Sequence, residues 1–208
     1  MSDFLSRLQD YRVLPVVTAG EVGPTLELAA ALARGGMGAI EVTLRTDTAL
    51  DCIRELKAAD SGLAIAAGTV TNPAELERAL SAGADFLLSP GATPALLRAA
   101  REAQVERVPG VSTASEVMRG LDEGYDCFKF FPAEASGGIA TLKSLGGPFP
   151  AVKFCPTGGL NPDNYRDYLA LPNVVCCGGS WMVTSALVDN GDWQQIEELT
   201  RAAMGAAP

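Results

Sequence analysis

Three side chains capable of chemistry alternate along one short apolar run: Glu41, Thr43 and Arg45, with Ile40, Val42 and Leu44 between or beside them. Successive side chains of a strand point to opposite faces, so a carboxylate, a hydroxyl and a guanidinium share one wall. A second run, Cys127-Phe128-Lys129-Phe130-Phe131-Pro132, sets one lysine among three aromatic residues near its end. Apolar company disfavours the ammonium, and bringing a lysine pKa from about 10.4 down to about 7–8 corresponds to about 4 kcal/mol of preference for the neutral amine. A neutral amine adds to a carbonyl carbon, and a neighbouring carboxylate can move the protons that such imine chemistry requires. Plainer roles exist for both runs: a packed structural ion pair on the first, and on the second a lysine that snorkels to the rim or simply pairs with Glu41.

Composition narrows the chemistry. The chain has no histidine, which excludes a Ser-His-Asp triad, a Cys-His dyad and a His-ligated zinc, and leaves acid–base work to Glu, Asp, Lys, Tyr or Cys. Cys52, Cys127, Cys155, Cys176 and Cys177 lie in apolar or helical patterns without a C-x-x-C pair, and read as buried reduced thiols. Sixteen Lys plus Arg against twenty-five Asp plus Glu give a net charge of −9, which repels phosphate backbones and anionic lipid, so neither nucleic acid nor membrane is an expected partner. Met1–Gln9 lacks the order of a signal peptide, and no run reaches about 18 apolar residues, so the reading is of a cytoplasmic protein.

The elements that must position these groups follow from periodicity. Eight apolar runs recur, Val13–Thr18, Ala39–Leu44, Leu63–Gly68, Asp85–Ser89, Val105–Pro109, Asp126–Phe131, Val152–Pro156 and Val174–Cys177, their starts 20 to 26 residues apart. Between them, stretches such as Thr25–Arg34, Ala49–Ala58, Ala74–Ala82 and Ala95–Ala103 carry the i, i+3, i+4 spacing of helices. Asn72-Pro73, Thr93-Pro94 and Asn161-Pro162 read as helix starts, and Gly35, Gly83 and Gly124 as helix ends. Eight strand-helix units in 208 residues, 48% of them apolar, predict an α/β chain forming a single (β/α)8 TIM barrel over 1–208, with a short helical segment at about 1–10 and a frayed tail at Met204–Pro208. An open doubly wound sheet is the structural rival.

A barrel gathers its chemistry on the loops after the strands. Arg45 and Lys129 then fall near the mouth. Lys153 alternates onto the face of Cys155 and Thr157, hence toward the interior, but about 13 Å deeper, where a structural or electrostatic role suits it better. Lys57 and Lys143 sit on helices and read as solvated. Gly158-Gly159 and Gly178-Gly179-Ser180 occupy matching loops, where backbone N–H groups and a following helix can receive a phosphate; a lone Gly-Gly would mean no more than a turn. Thr69 and Ser89-Pro90-Gly91 end two further strands, although Thr69-Val70-Thr71-Asn72-Pro73 also reads as a helix cap.

Taken in order, Glu41-Val42-Thr43-Leu44-Arg45-Thr46, Ala67-Gly68-Thr69-Val70, Ser89-Pro90-Gly91, Phe128-Lys129-Phe130-Phe131-Pro132-Ala133-Glu134, Phe154-Cys155-Pro156-Thr157-Gly158-Gly159 and Gly178-Gly179-Ser180-Trp181 resemble the bacterial 2-keto-3-deoxy-6-phosphogluconate (KDPG) and 4-hydroxy-2-oxoglutarate aldolases from about Val13 to Trp193. The resemblance implies a class I aldolase on a (β/α)8 barrel, commonly a homotrimer, that needs neither metal nor cofactor and splits a small phosphorylated keto acid into pyruvate and glyceraldehyde 3-phosphate. It implies Lys129 as the Schiff-base lysine and Glu41 as general acid/base. Arg45, Thr69 and Thr157 would surround the pyruvyl carboxylate. Gly158, Gly159, Gly178, Gly179 and Ser180 would form the phosphate end, and Pro90 and Phe131 the pocket wall. The pattern departs from the family before Val13 and at Thr18-Ala19-Gly20-Glu21. The 6-phosphogalactonate aldolases share the lysine and glycine loops, but Glu41–Thr46 and Gly179-Ser180-Trp181 fit the gluconate branch better. Rival readings are a phosphate-binding isomerase or synthase, and a non-catalytic sugar-phosphate-binding barrel.

Overall fold

The apolar runs become parallel strands in the computed structural model, which describes residues 3–205: β1 (Val13–Val17), β2 (Ala39–Thr43), β3 (Ala64–Gly68), β4 (Phe86–Leu88), β5 (Arg107–Val108), β6 (Gly110–Val111), β7 (Cys127–Phe130), β8 (Lys153–Pro156) and β9 (Cys177–Gly179). Six pair in the order β5-β4-β3-β2-β1-β9 and three in the order β6-β7-β8. The two groups join into a barrel at two seams. At one, β5 and β6 are a single stave broken by Pro109, which has no N–H to give: Leu88 pairs with Val108 on one side, while Lys129 N donates to Pro109 O at 2.9 Å and pairs with Gly110 on the other. At the other, parallel bridges link Phe154 to Val174 and Thr157 to Gly178. Eight staves result, as the spacing predicts.

Two of the expected strands differ. The fifth is split at Pro109. The eighth is not Val174–Cys177 but Cys177–Gly179, because it is Cys177, Gly178 and Gly179 that pair with Val13, Leu14 and Pro15; Val174 makes only a bridge.

Helices α2 (Val22–Arg34), α3 (Ala49–Ala58), α4 (Pro73–Ser81), α5 (Pro94–Glu102), α6 (Ala114–Asp122), α7 (Gly138–Gly146), α8 (Tyr165–Leu169), α9 (Ser185–Asp189) and α10 (Trp193–Met204) follow the staves. Asn72 and Thr93 cap α4 and α5, accepting from Glu75 N at 3.0 Å and Leu96 N at 3.2 Å, each with proline just inside the helix. Asn161-Pro162 opens a turn instead, with Asp163 N donating to the Asn161 side chain, and α8 begins only at Tyr165. Gly35 caps α2 in right-handed conformation, and the left-handed turn falls one residue later. Met204 ends α10, and residues 206–208 of the expected frayed tail lie outside the described residues.

Burial separates two layers. The larger cluster fills the space between staves and helices and includes Ile40, Val42, Phe128, Phe130 and Phe154. The smaller fills the barrel interior with Leu14, Ala39, Ala66, Phe86, Leu88, Val108, Cys127, Cys155 and Cys176, joined by Leu5 and Leu8 of α1 (Asp3–Tyr11). No described helix is long and apolar enough to cross a membrane.

Candidate active site

The alternation on β2 turns Glu41 and Thr43 into the barrel, both fully buried. Thr43 Oγ1 donates to Val17 O at 3.0 Å, tying the top of β2 to β1. Glu41 reaches across the interior, and Lys129 Nζ of β7 donates to its Oε1 at 2.8 Å. The two residues are 88 positions apart in sequence, and each is enclosed, Lys129 at 5% exposure and Glu41 at 0%. Glu41 Oε2 has no hydrogen-bond partner among the described residues. A buried carboxylate oxygen left open is costly unless water or a ligand meets it. Space for the carboxylate exists because residue 68 is glycine: a Cβ there would collide with Glu41 Oε1.

The expected aromatic enclosure of Lys129 is one ring rather than three. Phe131 stands 5.6 Å from Nζ at its centroid, whereas Phe128 and Phe130 belong to the outer layer. Strand alternation sends them there, with the Phe128 ring filling the space beside Gly120 of α6.

A cavity of about 150 Å³ opens above the lysine. Lys129, Arg45, Phe131 and Thr157 line it together with Gly158, Gly159, Gly178, Gly179 and Ser180. Its wall also includes Val16 and Leu160, which are apolar and therefore gave no chemical signal in the sequence. Arg45 is exposed at the mouth, its Nε donating to Thr69 Oγ1 at 3.2 Å. That bond, and not a helix cap, is where Thr69 is engaged; Thr71 instead meets Glu75. Neither Thr69 nor Pro90 contributes to the cavity wall; the Pro90 backbone occupies the space where a side chain on Gly110 would be. Lys153, expected to face inward, is half-buried with Nζ donating to Pro172 O at 2.8 Å, because as the first residue of β8 it sits where its long side chain can leave the barrel.

The glycines divide by cause. Gly158 and Gly159 have φ of 102° and 83°, so only glycine forms that turn without strain. Gly178 and Gly179 are small because Thr157 and the Trp181 ring occupy the space a side chain would need. A second recess of about 710 Å³ adjoins the first across Val16 and Ser180, and its lining includes Thr18, Glu21, Thr184 and Asp189 but no lysine or arginine.

All five cysteines are buried and free. Burial pushes the Cys127 and Cys177 thiols well above their ordinary value, and a hydrogen bond with Cys155 followed by burial does the same for Cys176. Those three are held as thiols and are poor nucleophiles. Lys129 is the one lysine that lines the cavity among the described residues.

Comparison with known proteins gives concordant results. A family model described as KDPG and KHG aldolase matches residues 5–199. A Pseudomonas aeruginosa protein named 2-dehydro-3-deoxy-phosphogluconate aldolase is 50% identical over 196 residues, covering 94% of this chain and 89% of that one. The KHG/KDPG aldolase of Escherichia coli K12 is 47% identical over 195 residues, covering 94% and 92%. A crystal structure of the Legionella pneumophila KDPG aldolase, with pyruvate captured at low pH as a covalent carbinolamine, matches with a TM-score of 0.94 at 44% identity, over 97% of this chain and 98% of that one.

Proposed function

The chain belongs to the KDPG and KHG aldolase family, and from that premise we propose that it cleaves 2-keto-3-deoxy-6-phosphogluconate to pyruvate and glyceraldehyde 3-phosphate through a Schiff base on Lys129. It is a carbon–carbon lyase of class I type. The observation that carries the assignment of roles is the 2.8 Å contact between Lys129 Nζ and Glu41 Oε1 at the floor of a cavity with a glycine turn on its wall.

In this reading Glu41 takes a proton from the Lys129 ammonium, and the freed lone pair adds to the C2 ketone. Protonation of the resulting hydroxyl, by Glu41 directly or through one water, lets it leave as water and forms an iminium. That cation accepts the electron pair of the C3–C4 bond when the C4 hydroxyl gives up its proton, so the phosphorylated aldehyde departs and an enamine of pyruvate remains. Protonation at C3 and hydrolysis release pyruvate and restore the amine. Glu41 can serve both directions because one oxygen holds the lysine while the other is open.

Arg45 and Thr157 are the proposed partners of the substrate carboxylate, with Phe131 beside them and Thr69 holding Arg45 through its hydroxyl. Gly158, Gly159, Gly178, Gly179 and Ser180 are proposed for the phosphate, with backbone N–H groups of the glycines and the Ser180 hydroxyl as donors. A homotrimer in the cytoplasm completes the reading.

Incubation with pyruvate and borohydride, followed by intact mass and peptide mapping, tests the central step. One stable adduct on the Lys129 peptide is expected, and none in Lys129→Ala. An unmodified Lys129 peptide in an otherwise folded protein would refute imine catalysis.

A further inference from the structure

The Gly158-Gly159 turn is held by Glu134, a residue that the proposed reaction does not use. Glu134 lies four residues beyond β7, at the start of a single 3₁₀ turn (Glu134–Ser136). Its backbone N–H donates to Gly158 O at 3.1 Å, while that of its neighbour Ala133 donates to Thr157 O at 2.8 Å. Its aliphatic stem occupies the space a Gly159 side chain would take, with Cγ and Cβ at 2.5 and 2.6 Å from where that Cβ would be. Its Oε1 accepts a hydrogen bond from the Tyr168 hydroxyl of α8. From the same side of the turn, Asn164 Nδ2 donates to Gly159 O at 3.3 Å. The glycine turn is thus clamped between the end of the lysine's own strand and the helix that follows the turn.

Resting on the proposed phosphate role of this loop, we propose that Glu134 and Tyr168 form a positioning pair that sets the phosphate-binding turn at a fixed distance from Lys129. Tyr168 is fully buried, and a buried phenol needs an acceptor. Burial first, then the Glu134 carboxylate, raise its pKa, so the phenol stays a donor throughout the neutral range. The carboxylate head is thereby turned toward α8 while only its stem touches Gly159. Freed from the phenol, the same carboxylate could swing to the glycine N–H groups and compete with phosphate for them, adding like-charge repulsion to a loosened turn.

The two effects of that release give a distinctive signature. Tyr168→Phe is expected to raise KM for the phosphorylated keto acid about tenfold or more with kcat held within about twofold, since the interaction lost is one that binds substrate and transition state alike. Adding Glu134→Gln removes the loose negative charge, and the double variant is expected to recover most of the lost affinity. Borohydride trapping of pyruvate, which has no phosphate, should proceed at the wild-type rate in both variants. Should Tyr168→Phe fail to fold, Glu134→Ala tests the clamp by a different route: it removes the stem beyond Cβ that packs beside Gly159 and the acceptor of the Tyr168 hydroxyl, and the loosened turn is expected to raise KM for the phosphorylated substrate alone. An unchanged KM, or a parallel loss of pyruvate trapping and cleavage, would overturn the proposal. Failure of the wild-type protein to trap pyruvate would instead overturn the Schiff-base reading, and this one with it.

Discussion

Glu41 has one oxygen bound to Lys129 and the other without a hydrogen-bond partner among the described residues, and the whole side chain is buried. Deleting Lys129 would strand a buried carboxylate at a cost of about 3–5 kcal/mol, so the informative variant is Glu41→Gln, whose amide oxygen still accepts from Nζ. That variant should fold normally yet lose about 10²–10⁴ in kcat, the usual contribution of a general acid/base, as read by pyruvate release from the phosphorylated keto acid. Gly68→Ala attacks the same carboxylate from outside the chemistry. The new methyl needs the space of Oε1, and because the displaced group is the end of a flexible side chain, the fold should survive while kcat falls at least about tenfold. Normal turnover in Gly68→Ala would mean that the observed carboxylate position is not the working one. The lysine and the carboxylate were legible as inward groups from alternation alone, and alternation also places Phe128 and Phe130 on the opposite face. Gly68 was not legible, because only the crossing of Glu41 over β3 reveals what a side chain there would strike.

Caps and breaks at the element ends decide how sharply each stave delivers its loop. Before α6, Thr113 Oγ1 accepts from Glu116 N at 3.3 Å, and Glu116 Oε2 accepts from the backbone and hydroxyl groups of both Ser112 and Thr113. Thr113→Ala should cost about 1 kcal/mol, or about 2–4 °C in Tm for a chain of this size. Burial by itself would raise the Glu116 carboxyl, but those donors, the Ser112 N–H foremost, outweigh it and hold the group below its ordinary value of 4.5. A carboxyl depressed in the folded state stabilises fully above its unfolded pKa and loses that contribution as pH falls through the folded value. The Tm gap between wild type and Glu116→Gln should therefore be widest near about pH 7 and shrink as the pH falls through the folded carboxyl's depressed value; a gap independent of pH would show that the charge contributes nothing. The helices after β3 and β4 were readable because cap and proline are adjacent in sequence, at Asn72-Pro73 and Thr93-Pro94. The last strand was not. Hydropathy favours Val174–Cys177, whereas the ladder with β1 is made by Cys177, Gly178 and Gly179, residues whose small size serves Thr157 and Trp181 and gives no strand signal of its own.

Across the whole barrel, the ends of the staves carry different duties. The interior is lined by small residues, Ala39, Ala66, Cys127, Cys155 and Cys176 among them, and closes only because α1 lays Leu5 and Leu8 against it. Phe4 packs edge-on to Phe86 at 5.5 Å and Tyr11 stacks on the same ring at 6.3 Å, while Arg7 pairs with Glu106 at the foot of β5. These contacts gather at the strand starts, opposite Arg45 and the glycine turns. Alternating runs announced a barrel, but the amphipathic segment at the N-terminus gave no sign of which surface it would cover, since its apolar face has no sequence-local partner. A bottom plug should bear on stability and leave catalysis alone. Leu8, 1% exposed, is the sharpest probe. Leu8→Ala should cost about 2–5 kcal/mol, a Tm loss of at least several degrees at about 2–4 °C per kcal/mol. At a temperature where the variant remains folded, its kcat and KM should match wild type, because the cavity left behind lies beneath the Glu41–Lys129 pair and touches neither the glycine turns nor Arg45. A kcat that fell in step with stability would mean the plug also sets the height of the lysine.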